Sequence, residues 1–229
     1  MTDETDKTLL RDAATVLVVR RTAEGPAVLM GMRGEQAAFM PSKFVFPGGA
    51  LDRADAEVPL ALPLAPATAS RLEVDAPAIG PALAVAAIRE LWEETGLILG
   101  APGAWPGEVP PDWQGFAAAG FVPSAAALRF VFRAITPPGR PRRFDARFFL
   151  IDAAEIATDP DDFSRACDEL SHLQWVPMAE ARRLNLPFIT EVVLAEVQAH
   201  LREAAPGAEP AQVPFFDNRG PRSAFQRIG

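Results

Sequence analysis

The chain concentrates acidic side chains in one short stretch, RELWEETG, which runs from Arg89 to Gly96. Glu90, Glu93 and Glu94 stand at positions i, i+3 and i+4, so on a helix their Cβ atoms lie about 5–6 Å apart on one surface. Grouped carboxylates are hard ligands suited to Mg²⁺ or Mn²⁺, which commonly bridge to substrate phosphates. The pattern predicts a metal site for a phosphorylated ligand; the alternative is a solvated, glutamate-rich helix face that ends at a glycine.

A helix must position these side chains, and its limits can be read from the sequence. Pro81 suits the first helical residue and Gly96 suits the residue after the last turn, which predicts a helix over 81–95. Apolar residues and one threonine recur along it at intervals of four, three and four and form one buried stripe: Ala84, Ile88, Leu91 and Thr95. This stripe places the glutamates on other faces. Arg89, four residues before Glu93, can orient a carboxylate through a charge-assisted hydrogen bond.

The rest of the chain alternates β-rich runs, loops and helical patterns. We predict a hairpin over about 13–32, a short strand in KFVFPGG, strands in LRFVFRAIT, RRFDARFFLID and HLQWVPM, and an amphipathic helix near Pro187–Glu203. Residues 51–80 are rich in Ala, Pro and Asp, which indicates an inserted loop with one short helix. The tail from about 204 to 229 is rich in Pro, Gly and Arg, and we expect it to be irregular.

Composition limits the class of protein. A chain of 229 residues with 49% apolar residues is long enough for one substantial core, which predicts a single domain over 1–229. A net charge of −8 disfavours a nucleic acid polymer as partner. Cys167 is the only cysteine, so an internal disulfide is excluded. No apolar run of about 18 residues and no leader pattern is present, so we expect a cytoplasmic protein without a membrane span.

The acidic stretch and the preceding FPGG together resemble the Nudix hydrolase family, whose motif is Gly, five residues, Glu, seven residues, then Arg-Glu-apolar-any-Glu-Glu-any-Gly-apolar. Gly49 corresponds to the first glycine, and the stretch from Arg89 to Leu97 fills the second half without a mismatch. Gly49 and Arg89 are 40 positions apart where the motif has 14, so about 26 residues are inserted. The first motif glutamate falls on Asp55 when counted forward and on Pro81 when counted backward, and its presence stays open.

An insertion at this place is a feature of one branch of the family, which resembles the peroxisomal coenzyme A diphosphatases. The segment AAFMPSKFVFPGGALD, together with ITP followed by RRFDARFF, is similar to that branch. The resemblance covers roughly residues 12–200.

The resemblance implies an α+β fold, a three-layer α/β/α sandwich around a mixed β-sheet. It implies that water attacks phosphorus and splits a diphosphate that joins a nucleoside to a moiety X, with Mg²⁺ or Mn²⁺ as cofactor and coenzyme A or acyl-coenzyme A as a candidate substrate. Glu90, Glu93 and Glu94 would bind the metal, together with the Gly49 carbonyl. The general base would be one of the carboxylates, with Glu169, on a later loop, as a candidate.

The resemblance also suggests where the substrate binds. Arg33, Arg142, Arg143 and Arg147 are candidates for binding the small-molecule diphosphate, although Arg143 and Arg147 could instead pair with local acids. Segments 51–80 and 101–120 are the loops expected to recognise X.

Two other functions stay open at this stage. A Nudix-fold ligand sensor or interaction module would predict eroded carboxylates, and all three are present here. A pyrophosphatase that removes damaged nucleotides from the pool would need base-specific contacts, which the sequence does not reveal. The resemblance also leaves a homodimer open.

Overall fold

The structure is a computed structural model that describes residues 9–34, 40–76, 78–220 and 222–229. Its strands are β1 Leu10–Thr22, β2 Gly25–Arg33, β3 Phe44–Val45, β4 Gly48–Ala50, β5 Gly100–Pro102, β6 Phe121–Pro123, β7 Arg129–Ile135, β8 Arg143–Asp152, β9 Leu170–Pro177, β10 Val213–Asp217 and β11 Ala224–Ile228. The helices are α1 Pro66–Leu72, α2 Gly80–Thr95, α3 Gln114–Ala118 and α4 Phe188–Glu203. Short 3₁₀ turns lie at Arg53–Ala56, Pro111–Trp113, Ala153–Glu155 and Ala181–Arg183.

A mixed sheet organises the described part of the chain. Its main path runs in the order β11-β10-β7-β8-β1-β2-β3, while β4 pairs with β1 and β9 pairs with β2. The pairs β1–β8 and β7–β10 are parallel and the others are antiparallel. The strand β1 is central because it pairs along its length with β8, from Leu10 opposite Arg143 to Val19 opposite Asp152.

Side-chain alternation along β1 builds a core on each face of the sheet. Val16 and Val18 pack on the side of α2, and Leu17 and Val19 pack on the side of α4. All four are fully buried, as expected for a strand that is covered on both faces. The arrangement is an α/β/α sandwich, and it confirms the fold class expected from the sequence.

Helix α2 agrees closely with its sequence signals. It spans Gly80–Thr95, Pro81 lies in its first turn, and Gly96 adopts the left-handed conformation with φ 75°. A side chain at Gly96 would also clash, since a Cβ there would lie 2.8 Å from Cβ of Arg165. The predicted stripe of Ala84, Ile88, Leu91 and Thr95 is fully buried, so this helix is held by its apolar face against the sheet.

The insertion is a structural part of the core on the α2 side. Val58, Leu64 and Leu72 are buried in that core, and α1 is its one α-helix, as the sequence predicted. Leu64 and Leu72 lie nearest to Gly80, at the start of α2. With a rise of 1.5 Å per residue, they are about 15 Å along the helix axis from Glu90. Most of the insertion therefore packs away from the carboxylates.

The tail that we expected to be irregular from 204 to 229 contains two strands, so that expectation is wrong for much of its length. β10 pairs parallel with β7 and antiparallel with β11, and this hairpin extends the sheet. Val213 and Phe215 are buried in the core on the α2 side. The strand exists because a distant partner satisfies its backbone groups, which composition does not reveal. None of the helices in the described residues is long and apolar enough to cross a bilayer.

Candidate active site

Arg89 is the centre of the predicted acidic site and contacts three carboxylates. Its Nε donates to Oδ1 of Asp55 at 2.8 Å and its Nη2 donates to Oδ2 at 3.1 Å. Its Nη1 donates to Oε1 of Glu90 at 2.9 Å and to Oε2 of Glu93 at 3.1 Å. Such a fork of charge-assisted hydrogen bonds fixes both partners in one geometry. Arg89 therefore joins the insertion to the carboxylates of α2.

Asp55, one of the two candidates for the first motif glutamate, lies against Arg89. It occupies the position that forward counting from Gly49 gives, and its side chain is 1% exposed. Besides binding Arg89, its Oδ2 accepts a hydrogen bond from the backbone N–H of Asp52 at 2.8 Å, which closes a capping box on the 3₁₀ turn. The structure places Asp55 at this position and does not bring Pro81 to the site.

The two glycines before the insertion allow the chain to approach α2 closely. Gly48 donates its N–H to Oε2 of Glu94 at 2.8 Å. A Cβ on Gly48 would lie 2.5 Å from the carbonyl oxygen of Ala14, and a Cβ on Gly49 would lie 2.3 Å from Oε1 of Glu90. Only glycine fits these positions without a rearrangement. The Pro-Gly-Gly loop therefore lies directly against the carboxylates.

Glu94 is the most buried of the three motif glutamates, with 2% of its surface exposed. Burial raises the pKa of its carboxyl well above the usual value, and the negative charges of Glu90 and Glu169 raise it further. The Gly48 N–H and the Arg33 guanidinium act in the opposite direction. The sequence pattern placed the glutamates on faces away from the buried stripe, and on such a face the Pro-Gly-Gly loop buries Glu94.

The environment also shifts the pKa values of the neighbouring groups. Burial raises the pKa of Glu90 to about 7, against the lowering effect of Arg89. Burial likewise raises the pKa of Glu93, and the charge of Asp112 adds to it. Burial lowers the pKa of Arg89, but its hydrogen bonds to Asp55 and the three acidic charges outweigh this effect and keep the pKa above its usual value. The site thus holds more buried negative charge than Arg89 neutralises.

Glu169 and Arg33, which the sequence suggested separately, form an ion pair at 2.7 Å. Arg33 is the last residue of β2, and Glu169 immediately precedes β9. The loop end that carries Glu169 lies against α2, since the N–H of Cys167 donates to the carbonyl of Glu93 at 2.9 Å. The charge of Glu169 raises the pKa of Glu94, after burial and Glu90, and the charge of Arg33 lowers it. The structure therefore brings these two candidates together beside the metal candidates.

The arginines of β8 are arranged differently from the predicted phosphate clamp. Arg147 is 1% exposed and its Nη1 pairs with Asp12 and with Asp145, so its guanidinium is sealed in the sheet. Arg143 donates its Nε to the carbonyl of Thr136. Arg142 is exposed, just before the strand. The alternative, in which Arg147 pairs with acids, describes the structure, and a substrate role for Arg142 and Arg143 stays a prediction.

An aromatic cluster from segment 101–120 borders the carboxylate half of α2. Trp92 packs edge to face on Phe116, and Phe116 packs edge to face on Trp113. Trp105 lies over Trp113 with 5.6 Å between ring centroids and is partly exposed. Trp92 is the chain neighbour of Glu93 on α2, so this segment packs beside the site, and its recognition of X stays a prediction.

The donor chemistry of the site fits a hard divalent cation. In the described residues no three His, Cys, Asp or Glu side chains already form a metal-binding group, and Glu90 and Glu93 are instead hydrogen-bonded to Arg89. The raised pKa values of Glu90 and Glu94 nevertheless mark buried carboxylates that a bound cation would stabilise in their charged form. Glu90 and Glu94 are the ligands that this observation favours, and roles for Glu93 and the Gly49 carbonyl stay predictions.

Comparisons with known proteins agree with the fold. No family model matches the chain. A Caenorhabditis elegans protein named Nudix hydrolase 7 is 28% identical over 74% of this chain and 52% of its own length. An acyl-coenzyme A diphosphatase of Gallus gallus is 30% identical over 75% of this chain and 62% of its own length. The chain thus spans between half and two thirds of the curated relatives.

Among solved structures, a Nudix hydrolase from Alicyclobacillus acidocaldarius is 29% identical, with a TM-score of 0.60 over 82% of this chain and 90% of that one. A Nudix domain from Shewanella oneidensis has a TM-score of 0.52 at 12% identity, which supports the fold alone. The split motif, the Pro-Gly-Gly loop and these relatives together make the chain similar to the Nudix hydrolases. The recognition made from the sequence is confirmed.

Sequence reasoning missed one residue of the site, Gly48, and the partner of one candidate, Arg147. Gly48 was quoted only within FPGG, yet its N–H binds the most buried carboxylate. The glycine pair itself was the available signal, since two consecutive glycines indicate close backbone approach. The pairing of Asp12 with Arg147 spans a sequence separation that no local pattern reveals.

Proposed function

We propose that this protein is a metal-dependent diphosphatase that hydrolyses the diphosphate bond of a nucleotide joined to another moiety, with coenzyme A or acyl-coenzyme A as the favoured substrates. The observation that supports it most is the convergence of Glu90 and Glu94 on the glycine pair Gly48–Gly49. The branch assignment is supported by the acyl-coenzyme A diphosphatase among the relatives. Cytoplasmic location and a homodimer stay predictions.

Each residue of the site has a task in this reaction. Glu90 and Glu94 would hold Mg²⁺ or Mn²⁺, which supplies neutralisation of the diphosphate charge and an acidified water. Arg89, fixed by Asp55, orients Glu90 beside the glycine loop, since its Nη2 also donates to the carbonyl of Ala50 at 3.1 Å. Glu169 accepts the proton of the attacking water, and its 53% exposed side chain leaves room for that water. The aromatic segment around Trp105 would contact the moiety X.

The test is a substrate panel with a matched pair of variants. Purified protein is incubated with Mg²⁺ or Mn²⁺ and with coenzyme A, acyl-coenzyme A, ADP-ribose, NADH or nucleoside triphosphates, and the products are identified by mass spectrometry. We expect coenzyme A to yield 4′-phosphopantetheine and 3′,5′-ADP. Glu94→Gln keeps the acceptor for the Gly48 N–H but removes the charge, and we expect a loss of kcat/KM of about 100-fold or more.

Glu191→Gln is the control, because Glu191 is an exposed glutamate on α4, on the opposite face of the sheet. We expect its activity to stay within about twofold of the unchanged protein, as for most surface substitutions. Isothermal titration with Mn²⁺ gives a second readout, in which Glu94→Gln weakens binding and Glu191→Gln does not. Tight binding of a panel compound without turnover would contradict the enzyme and favour a sensor, and turnover of triphosphates alone would favour the nucleotide-pool enzyme.

A further inference from the structure

The ion pair between Arg33 and Glu169 has a geometry that stability does not explain. Arg33 Nη2 donates to Oε1 of Glu169 at 2.7 Å, while the Arg33 side chain is 21% exposed and that of Glu169 is 53% exposed. A pair with one partner so exposed adds at most about 1 kcal/mol to stability. Arg33 Nε is also buried without a hydrogen-bond partner among the described residues, which costs desolvation energy. The pair therefore contributes little to stability.

The backbone of Arg33 is held through both its N–H and its carbonyl, which makes it a rigid anchor. The N–H of Arg33 donates to the carbonyl of Lys43 at 3.0 Å, and its carbonyl accepts from the N–H of Ser42 at 3.1 Å. The Lys43 ammonium in turn donates to Oδ1 of Asn185 and to the Leu186 carbonyl. Arg33 therefore projects from a sheet edge whose position is fixed by hydrogen bonds to two further segments.

Glu169, in contrast, ends a long loop and reaches Arg33 through the register of two strands. Leu170 lies opposite Arg33 in the β2–β9 pair, so Glu169 is the first residue beyond the ladder. A bulge follows at once between the pairs at Met30 and Met32, and His172 in it has a positive φ of 53°. Bulges next to active sites commonly redirect a side chain. Without a partner, the Glu169 carboxylate would rotate freely at this exposed loop end.

The pair also lies at the right place to act on the reaction. The charge of Glu169 is among the causes that raise the pKa values of Glu90 and Glu94, after burial, and the charge of Arg33 lowers that of Glu94. The loop that carries Glu169 is also held against α2, because the N–H of Cys167 donates to the carbonyl of Glu93 at 2.9 Å. Among the arginines that the sequence suggested for substrate binding, Arg33 alone is paired with a proposed catalytic residue in the described part of the chain.

We propose that Arg33 is a positioning residue that holds the Glu169 carboxylate beside the Glu90–Glu94 pair, so that Glu169 can accept the proton of the attacking water. This inference rests on the proposed function. It replaces direct phosphate binding as the main task of Arg33. A misplacement of a catalytic group by about 1 Å commonly costs about 100-fold in rate, so a fixed partner for a loop carboxylate has a large kinetic effect and a small effect on stability.

Kinetics of four variants test the role: Arg33→Met, Arg33→Lys, Glu169→Gln and the double variant Arg33→Met/Glu169→Gln. We expect Arg33→Met and Glu169→Gln each to lower kcat by about 30-fold or more while KM changes by less than about threefold, in line with the loss of a positioned base. The double variant should be no slower than Glu169→Gln alone, because both changes remove the same function. Arg33→Lys, which keeps a cation, should recover most of the rate.

Arg20 of β1 provides a matched control, because its partner Asp161 lies in the same loop as Glu169. It pairs with Asp161 at 2.8 Å, and the two side chains are 33% and 59% exposed, so Arg20→Met also removes an ion pair between a strand and the loop that precedes β9. We expect Arg20→Met to change kcat by less than about twofold, since it leaves Glu169 in place. An equal loss of rate in Arg20→Met would show that general anchoring of the loop matters and would overturn the specific role of Arg33.

Hydrogen exchange of the metal-free protein gives a readout that does not depend on turnover. The N–H of Cys167 donates to the carbonyl of Glu93 at 2.9 Å, so it reports how firmly the loop end is held. Arg33→Met should speed exchange across 165–170, and Arg20→Met should speed it only near 159–163. Unchanged exchange in Arg33→Met would overturn the proposal.

The outcomes distinguish a failure of the proposed function from a failure of the role of Arg33. A wild-type protein that turns over no panel compound with either metal overturns the proposed function and this inference with it. An active wild-type protein in which Arg33→Met raises KM tenfold or more at constant kcat, and in which the effects of Arg33→Met and Glu169→Gln add, overturns the inference alone and assigns Arg33 to the substrate. Full activity of Glu169→Gln likewise overturns only the inference and the choice of base.

Discussion

Two oxygen atoms of Asp55 fix the position of Arg89, and through Arg89 they fix Glu90 and Glu93. At the scale of single residues, this makes a buried aspartate of the insertion as important to the site as the glutamates themselves. Asp55 stays the candidate for the first motif glutamate, and a capping box on its 3₁₀ turn fixes the position of its carboxylate.

Asp55→Asn tests this dependence. The amide nitrogen of asparagine would face the Arg89 donors and leave part of the guanidinium buried without a partner. We expect a loss of about 3 kcal/mol in the free energy of unfolding, measured with urea, the low end for breaking a buried pair because Arg89 keeps Glu90 and Glu93. Activity should fall by about 10-fold to 100-fold, as for the loss of a group that orients ligands.

Asp52→Asn is the control for that change, because Asp52 is exposed, lies three residues earlier and caps the same turn. Asparagine is an equally good cap, so the stability of this variant should stay within about 0.5 kcal/mol of the unchanged protein. Equal losses in the two variants would assign the effect to the turn and not to Arg89.

Much of the site was predictable at this scale, and the exceptions share one cause. Glu90, Glu93, Arg89 and Gly49 were identified because their spacing lies within one motif. The burial of Glu94 and the sealing of Arg147 depend on Gly48 and Asp12, which lie 46 and 135 residues away in sequence. A single sequence records such pairings only through the fold, so the chemistry of Arg147 could not be read from its strand.

At the scale of elements, α2 and α4 cover opposite faces of the sheet and differ in how their ends are treated. α2 ends at Gly96 with φ 75°, whereas α4 ends without a left-handed residue, and the Arg21 guanidinium donates to the Ala204 carbonyl there. His200 lies in the last turn of α4, and its Nε2 is buried with no hydrogen-bond partner in the described residues. Burial lowers the pKa of His200, against the raising effect of Glu203 and Glu209.

A specific pH dependence of stability follows from His200. Because its pKa is lower in the folded than in the unfolded protein, its contribution to stability is present above about pH 6.5 and is lost as pH falls through the folded value. His200→Gln should therefore lose less stability than the unchanged protein between pH 7.5 and pH 5.5, as measured by urea midpoints. His172→Gln is the control, since His172 is exposed, and a matching change in both variants would contradict the assignment.

Elements with strong local signals were predicted well from the sequence, and those that depend on distant partners were not. The limits of α2 came from Pro81 and Gly96, and the strands around β7 and β8 came from dense β-forming residues. β10 has the sequence VPFFD, with a proline and no clear alternation, so only its pairing with β7, about 80 residues earlier, defines it as a strand.

At the scale of the whole molecule, the insertion and the C-terminal hairpin pack against each other on the α2 side of the sheet. Arg71 of α1 donates to the carbonyls of Pro210 and Ala211, and Thr68 donates to Glu209. Arg133 of β7 donates to the carbonyl of Val74 and lies over the Phe215 ring at 4.5 Å. The segment that splits the motif and the segment that closes the sheet therefore form one packed unit.

Phe215→Ala measures the contribution of this unit. Phe215 is 1% exposed, and we expect its truncation to cost about 3–5 kcal/mol in the free energy of unfolding, the range for buried phenylalanines. Phe225→Ala in the same hairpin is the matched control, because Phe225 is 49% exposed and should cost about 1 kcal/mol or less. Similar small losses in both variants would show that the hairpin is peripheral to the core.

The parallel pairing of β1 with β8 has a consequence for folding during synthesis on the ribosome. Gly49 is aligned through Ala14 of β1 with Arg147 of β8, so the glycine loop lies on a frame whose two strands are 133 residues apart, from Leu10 to Arg143. At about 5–20 residues per second, translation of that interval takes roughly 7–27 seconds. During this time the edge of β1 that pairs with β8 has no native partner. Chaperones that bind nascent chains would therefore bind β1 before β8 does.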